Sequence, residues 1–131
     1  MFMLDTNICI YLINERDGAL RQRFEANAGE ICVSAITYAE LCYGVTHSAR
    51  VARNARELEA FRLDLDVVAF DDRAGRHYGE IRHALARRGR PIGANDLLIA
   101  AHALSVDATL VTNNAGEFRR VPNLRVENWT E

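Results

Sequence analysis

Five short runs of strand-forming residues recur along the chain: MFML at 1–4, ICV at 31–33, DVVAF at 66–70, TLV at 109–111 and LRV at 124–126. Each is strand-sized, and none alternates enough to leave one face in water. Stretches of helical character separate them. ICIYLIN follows Asp5-Thr6-Asn7, and residues 18–27 place Leu20 and Phe24 on one face. Ser34 is placed to cap a helix over 35–45. Residues 49–65 carry Ala55, Leu58, Phe61, Arg62 and Leu65 at amphipathic spacing. Asp71-Asp72 opens a long helix to about Arg88, with acids at its positive end and arginines at its negative end. Residues 94–105 are almost wholly apolar and predict a buried helix, and 114–118 a short turn or helix. Strands alternating with helices predict an α/β fold of three layers: a mostly parallel sheet of about five strands with helices on both faces. With no repeat and no linker, residues 1–131 read as a single domain. In such sheets ligands bind beyond the carboxyl ends of the strands, where Asp5 and Thr112-Asn113-Asn114 fall.

Composition narrows the function. At 131 residues and 49% hydrophobic, the chain can bury a core, and no run reaches the roughly 18 apolar residues of a membrane span. The apolar opening contains Asp5 and has no basic region before it, so it does not read as a secretory leader. A soluble cytoplasmic protein is expected. The net charge of −2 excludes a globally basic nucleic-acid binder but not a local basic patch. All sixteen basic residues are arginine, which excludes any site that needs lysine. Cys9, Cys32 and Cys42 lack CxxC spacing and read as reduced core thiols. The four histidines lack HxH or HExxH spacing. Tyr11, Tyr38, Tyr43 and Tyr78 read as core residues, and Trp129 as a cover for the sheet or an interface.

Three carboxylates lie in the wrong surroundings. Asp5 is the only charge in residues 1–14, Glu40 in 31–46 and Asp96 in 91–106. Desolvating a carboxylate costs several kcal/mol unless it is paired. Asp5 also suits a helix cap and Asp96 a helix first turn, but Glu40 sits inside a helix, six residues past its cap. A shared divalent cation would account for all three, since clustered carboxylates repel unless a cation balances them. Mg²⁺ prefers oxygen ligands and needs only one or two direct carboxylates, here Asp5 and Asp96. Its chemistry, activating water and stabilising phosphoryl charge, points to phosphodiester hydrolysis. Thr6 and Thr112 offer hydroxyls to orient the acids or a metal-bound water, or else serve only as strand-end and turn residues.

These residues resemble the PIN-domain ribonucleases, in particular the VapC toxins of bacterial toxin–antitoxin pairs. The matching segments are MLDTNICIYLI at 3–13, VSAITYAELCYGV at 33–45, GRPIGANDLLIAAHA at 89–103 and LVTNNAGEFRRV at 110–121. They cover essentially the whole chain in family order. The resemblance implies a PIN-like fold and an endoribonuclease dependent on Mg²⁺, or Mn²⁺ in its place. Such enzymes stop translation by cutting tRNA or ribosomal RNA. It places Asp5, Glu40 and Asp96 on the family's three acids, and implies a homodimer and a VapB-type antitoxin partner. Many relatives carry an aspartate where this chain has Asn114, although the VapC branch often reads Asn-Asn there too. Glu117 is a candidate to supply that charge, or a solvated turn acid beside Arg119 and Arg120.

Arg87, Arg88 and Arg90 precede Asp96, and Arg119 and Arg120 follow the Asn114 turn. Both groups could hold RNA phosphates, or simply be solvated. Three other readings stay open. A Mg²⁺-dependent phosphatase or phosphotransferase commonly has DxDxT or a lysine, and a phosphoacceptor receiver module expects the lysine too. A PIN-like RNA-binding module without catalysis is suggested only by Asn114.

Overall fold

The computed structural model describes residues 1–15 and 18–130. The elements run β1 (Phe2–Leu4), α1 (Thr6–Asn14), α2 (Ala19–Ala26), β2 (Ile31–Ser34), α3 (Ala35–Thr46) and α4 (Val51–Arg62). Then follow β3 (Asp66–Val68), α5 (Asp72–Arg87), α6 (Ala94–Ser105), β4 (Thr109–Val111), α7 (Ala115–Phe118) and β5 (Val126–Glu127). The strands form one sheet in the order β3-β2-β1-β4-β5. Every pairing is parallel, so the sheet expected to be mostly parallel is wholly so.

The pleat divides the apolar residues between two cores. Met3, Cys32 and Leu110 point to one face, where Ile81 and Leu85 of α5 and Ile99 and Ala103 of α6 cover them. Leu4, Val33 and Val111 point to the other, against Ile8 and Leu12 of α1, Leu41 of α3 and Leu58 of α4. Trp129 closes this second core, fully buried and edge-on to Phe2 at 5.1 Å. It therefore covers the sheet.

Several helix starts follow from local chemistry. Ser34 Oγ accepts from Ile36 N at 3.0 Å to cap α3, and Asp71 Oδ1 accepts from Ala74 N at 3.1 Å to cap α5. The edges depart from the sequence reading. Strand β3 ends at Val68, opposite the last residue of β2, so Ala69 and Phe70 have nothing to pair with. Helix α4 closes at Arg62 because Asp64 and Leu65 turn back onto the carbonyls of Phe61 and Arg62. Strand β5 begins two residues later than expected. Cys9 and Cys32 are buried free thiols, but Cys42 is only half-buried. Tyr11 and Tyr43 are exposed, which corrects their reading as core residues. Among the described residues, no helix is long and apolar enough to cross a membrane.

The strand order sets where function can lie. From central β1 the chain builds outward through β2 and β3, then returns to build β4 and β5 on the other side. Adjacent strands whose connections leave in opposite directions open a crevice at their carboxyl ends, here between Leu4 and Val111. Trp129→Ala removes a wholly buried ring from the core beneath that crevice. It is expected to cost about 3–5 kcal/mol, read as a lowered urea midpoint in tryptophan-independent circular dichroism.

Candidate active site

Asp5 stands at the end of β1 and is only 4% exposed. Its backbone N–H donates to Val111 O at 3.0 Å, tying it to β4. Its Oδ1 accepts from Ile8 N at 2.9 Å, capping α1. The cap role is therefore real, but it leaves the carboxylate in the crevice. Thr112, fully buried at the end of β4, hydrogen-bonds the Asp5 carboxylate and accepts from Asn114 N at 2.9 Å. Burial raises the Asp5 pKa above its ordinary value, and the charge of Glu40 adds to the rise. The hydrogen bonds from Thr112 and Ile8 oppose it.

Glu40 comes from the middle of α3. Thr6 Oγ1, in the first turn of α1, donates to Glu40 Oε1 at 2.9 Å and lies 3.4 Å from Thr37 Oγ1. The two threonines singled out from sequence thus each hold an acid. Thr37 was not anticipated, since a buried threonine inside a helix gives no signal in sequence.

Asp96 lies in the first turn of α6. Its pKa is pushed up to about 6, first by burial and then by the charges of Glu117, Asp5 and Glu40. Asp96 therefore feels all three of the other carboxylates. Glu117 faces this cluster and not the arginines that follow it in sequence. Its Oε1 accepts from Gly93 N at 2.9 Å, and its Oε2 accepts from Asn114 Nδ2 at 2.7 Å. A Cβ at Gly93 would sit 3.5 Å from Asp96 Oδ2 and 3.9 Å from Glu117 Oε1, so both oxygens flank one small residue. Asn114 brings no charge, but its amide holds the acid that does.

None of these four acids forms an ion pair among the described residues. No three acidic, histidine or cysteine side chains there converge closely enough to cage an ion. The donor set is all oxygen, mutually repelling and partly desolvated. It suits a hard cation that takes one or two carboxylates and keeps its waters, not a metal wanting nitrogen or sulfur. His102 is no part of this site. It is buried in the core, with its Nδ1 2.7 Å from Ser34 Oγ.

The candidate phosphate-binding arginines are less closely gathered. Arg87 ends α5, Arg88 caps it, and Arg90 lies in the loop leading to α6. Arg119 follows α7. All four are exposed and unpaired among the described residues. Arg120 is committed to structure, donating to Pro91 O at 3.2 Å.

Residues 2–124 match the PIN domain family. The chain is 46% identical over 129 residues to the tRNA(fMet)-specific endonuclease VapC of Shigella flexneri, covering 98% of each chain. It superposes on a chain of the DNA-bound VapBC complex from Salmonella typhimurium with a TM-score of 0.95. Their identity is 44%, over 98% of this chain and 97% of that one. A chain of VapBC2 from Rickettsia felis, bound to a promoter DNA fragment, gives 0.93 at 44% identity over 98% of each.

The raised Asp96 pKa carries a stability consequence. The fold disfavours the ionised form, so ionisation lowers stability as pH rises from about 4 to about 6. In protein kept metal-free by a chelator, Asp96→Asn is expected to raise Tm by about 3 °C at pH 7. The gain should shrink towards pH 4. Equal melting curves at both pH values would show that the repulsion is absent.

Proposed function

The chain belongs to the PIN-domain family, in the branch of the VapC ribonucleases, and on that footing we propose that Asp5, Glu40 and Asp96 are its catalytic acids. The observation that carries this reading is that Asp96 feels the charges of Asp5, Glu40 and Glu117 at the sheet's crevice, with no cationic side chain paired to any of the four among the described residues. Asp5 and Asp96 are the residues to hold Mg²⁺, with Mn²⁺ a workable substitute. The chemistry such an ion supplies when bound is a water of lowered pKa and charge stabilisation at a phosphoryl oxygen.

The remaining residues position these groups. Thr112 and the α1 amide fix the Asp5 carboxylate, so it pays no rotamer entropy when a ligand arrives. Thr6 fixes Glu40, leaving its second oxygen for a proton of an attacking water. Asn114 and Gly93 fix Glu117, which adds the charge that the resemblance expects at position 114. Arg87, Arg88, Arg90 and Arg119 are proposed to hold phosphates on either side of the cut bond.

The substrate proposed is tRNA, by analogy with the relative from Shigella flexneri. The role is that of a toxin in the cytoplasm, restrained by a VapB-type antitoxin, since the structural relatives were solved as VapBC complexes. The toxin is proposed to act as a homodimer.

Purified protein, freed of any partner, is to be incubated with total bacterial RNA and Mg²⁺. Discrete fragments are expected, with end sequencing mapping them to tRNA. Chelator, or Asp5→Ala, Glu40→Ala or Asp96→Ala, should each lower the rate on the order of 10²-fold or more. Undiminished cutting by the triple variant would place the chemistry elsewhere, and fragments mapping only to ribosomal RNA would overturn the tRNA assignment.

A further inference from the structure

A cavity of about 320 Å³ opens beside the crevice, lined by Tyr11, Glu15, Ala19, Leu20, Asn113 and Thr130 among others. Its volume lies within the range of small-molecule sites. Two of its residues lie on segments that also carry the groups of the acidic site. Tyr11 sits on α1, the helix capped by Asp5. Asn113 lies between Thr112, which bonds Asp5, and Asn114, which bonds Glu117. Each neighbour is thus one Cα step, about 3.8 Å, away.

Neither residue is needed to hold the fold. Helix α1 buries Ile8, Cys9 and Leu12, while Tyr11 stays 44% exposed and stacks on no other described ring. The turn after β4 is closed by the hydrogen bond from Asn114 N to Thr112 Oγ1. That leaves the exposed Asn113 amide with no partner among the described residues. Tyr43 is more exposed, but its ring already stacks on His47 at 5.4 Å.

The lining also selects against a phosphate. Among its described residues there is no arginine, and Glu15 would repel an anion. A neutral heterocycle fits better. Tyrosine offers a stacking face, an amide reads both a donor and an acceptor, and a carboxylate accepts from an exocyclic amine. Resting on the ribonuclease reading above, we propose that this cavity receives a base next to the cut phosphodiester. We further propose that Tyr11 stacks on that base while Asn113, with Glu15, sets a preference for one bearing an exocyclic amine.

The test uses the full chain with Mg²⁺ and RNA oligonucleotides that differ only at the bases flanking the mapped cut. Tyr11→Ala and Asn113→Ala are expected to raise KM about tenfold with kcat within about twofold. Asn113→Ala should also lose discrimination between uracil and the amine-bearing bases at one flanking position, a discrimination that Tyr11→Ala should keep. Tyr11→Phe, which keeps the stacking face, should restore wild-type KM. RNA affinity measured in chelator, where nothing is cut, should fall in parallel for the two alanine variants. That readout separates the two readings: absent cleavage with Tyr11-dependent binding would sink the ribonuclease assignment and leave the pocket standing. Variants that melt like wild type yet keep its KM, affinity and base preference would overturn the proposal. So would a Tyr11→Phe variant as impaired as Tyr11→Ala.

Discussion

The buried carboxylate of Asp5 binds the architecture to the site. Its backbone N–H continues the β1–β4 pairing, its Oδ1 starts α1, and Thr112 at the end of β4 takes hold of the same carboxylate. The central strand, the first helix and the neighbouring strand thus meet on one side chain. Displacing it would leave α1 uncapped as well as removing an acid.

The fold works against the charges it assembles. Burial and mutual repulsion raise the pKa of Asp5 and Asp96, so the protein alone is strained where it is chemically most capable. Local hydrogen bonds offset part of the cost. Those to Asp5, Glu40 and Glu117 come from backbone amides, threonine hydroxyls and one asparagine amide. All of these donors are neutral. They orient the carboxylates without discharging them, so the negative potential stays available to a cation. Arginines in the same positions would have stabilised the fold and closed the site.

Much of this was legible in the sequence because burial leaves a compositional trace. Asp5, Glu40 and Asp96 stood out as single charges in apolar stretches, and the strands as short apolar runs. Glu117 was ambiguous because Arg119 and Arg120 follow it closely, and only the turn of α7 points it at Gly93. Edge strands were misjudged because their length is set by where a neighbour ends, as at Val68. Tyr11 and Tyr43 were misread because a ring flanked by apolar residues on a helix can lie on either face. Tyr11 follows Ile8 and Cys9 in sequence yet points away from them into solvent. Gly93 carried no signal beyond its place in a loop, although its amide holds Glu117.

The acids are scattered from residue 5 to residue 117 and meet only through the returning half of the sheet. This gives synthesis a built-in order. A ribosome releases Asp5 and Glu40 early, but the strand that carries Thr112 must insert beside β1 before the crevice exists, and α7 follows that strand. Abandoned fragments ending before α6 hold two acids on a sheet open at its middle strand. The four acids therefore cannot share one crevice until the strand leading to Thr112 and the helix carrying Glu117 have both been made.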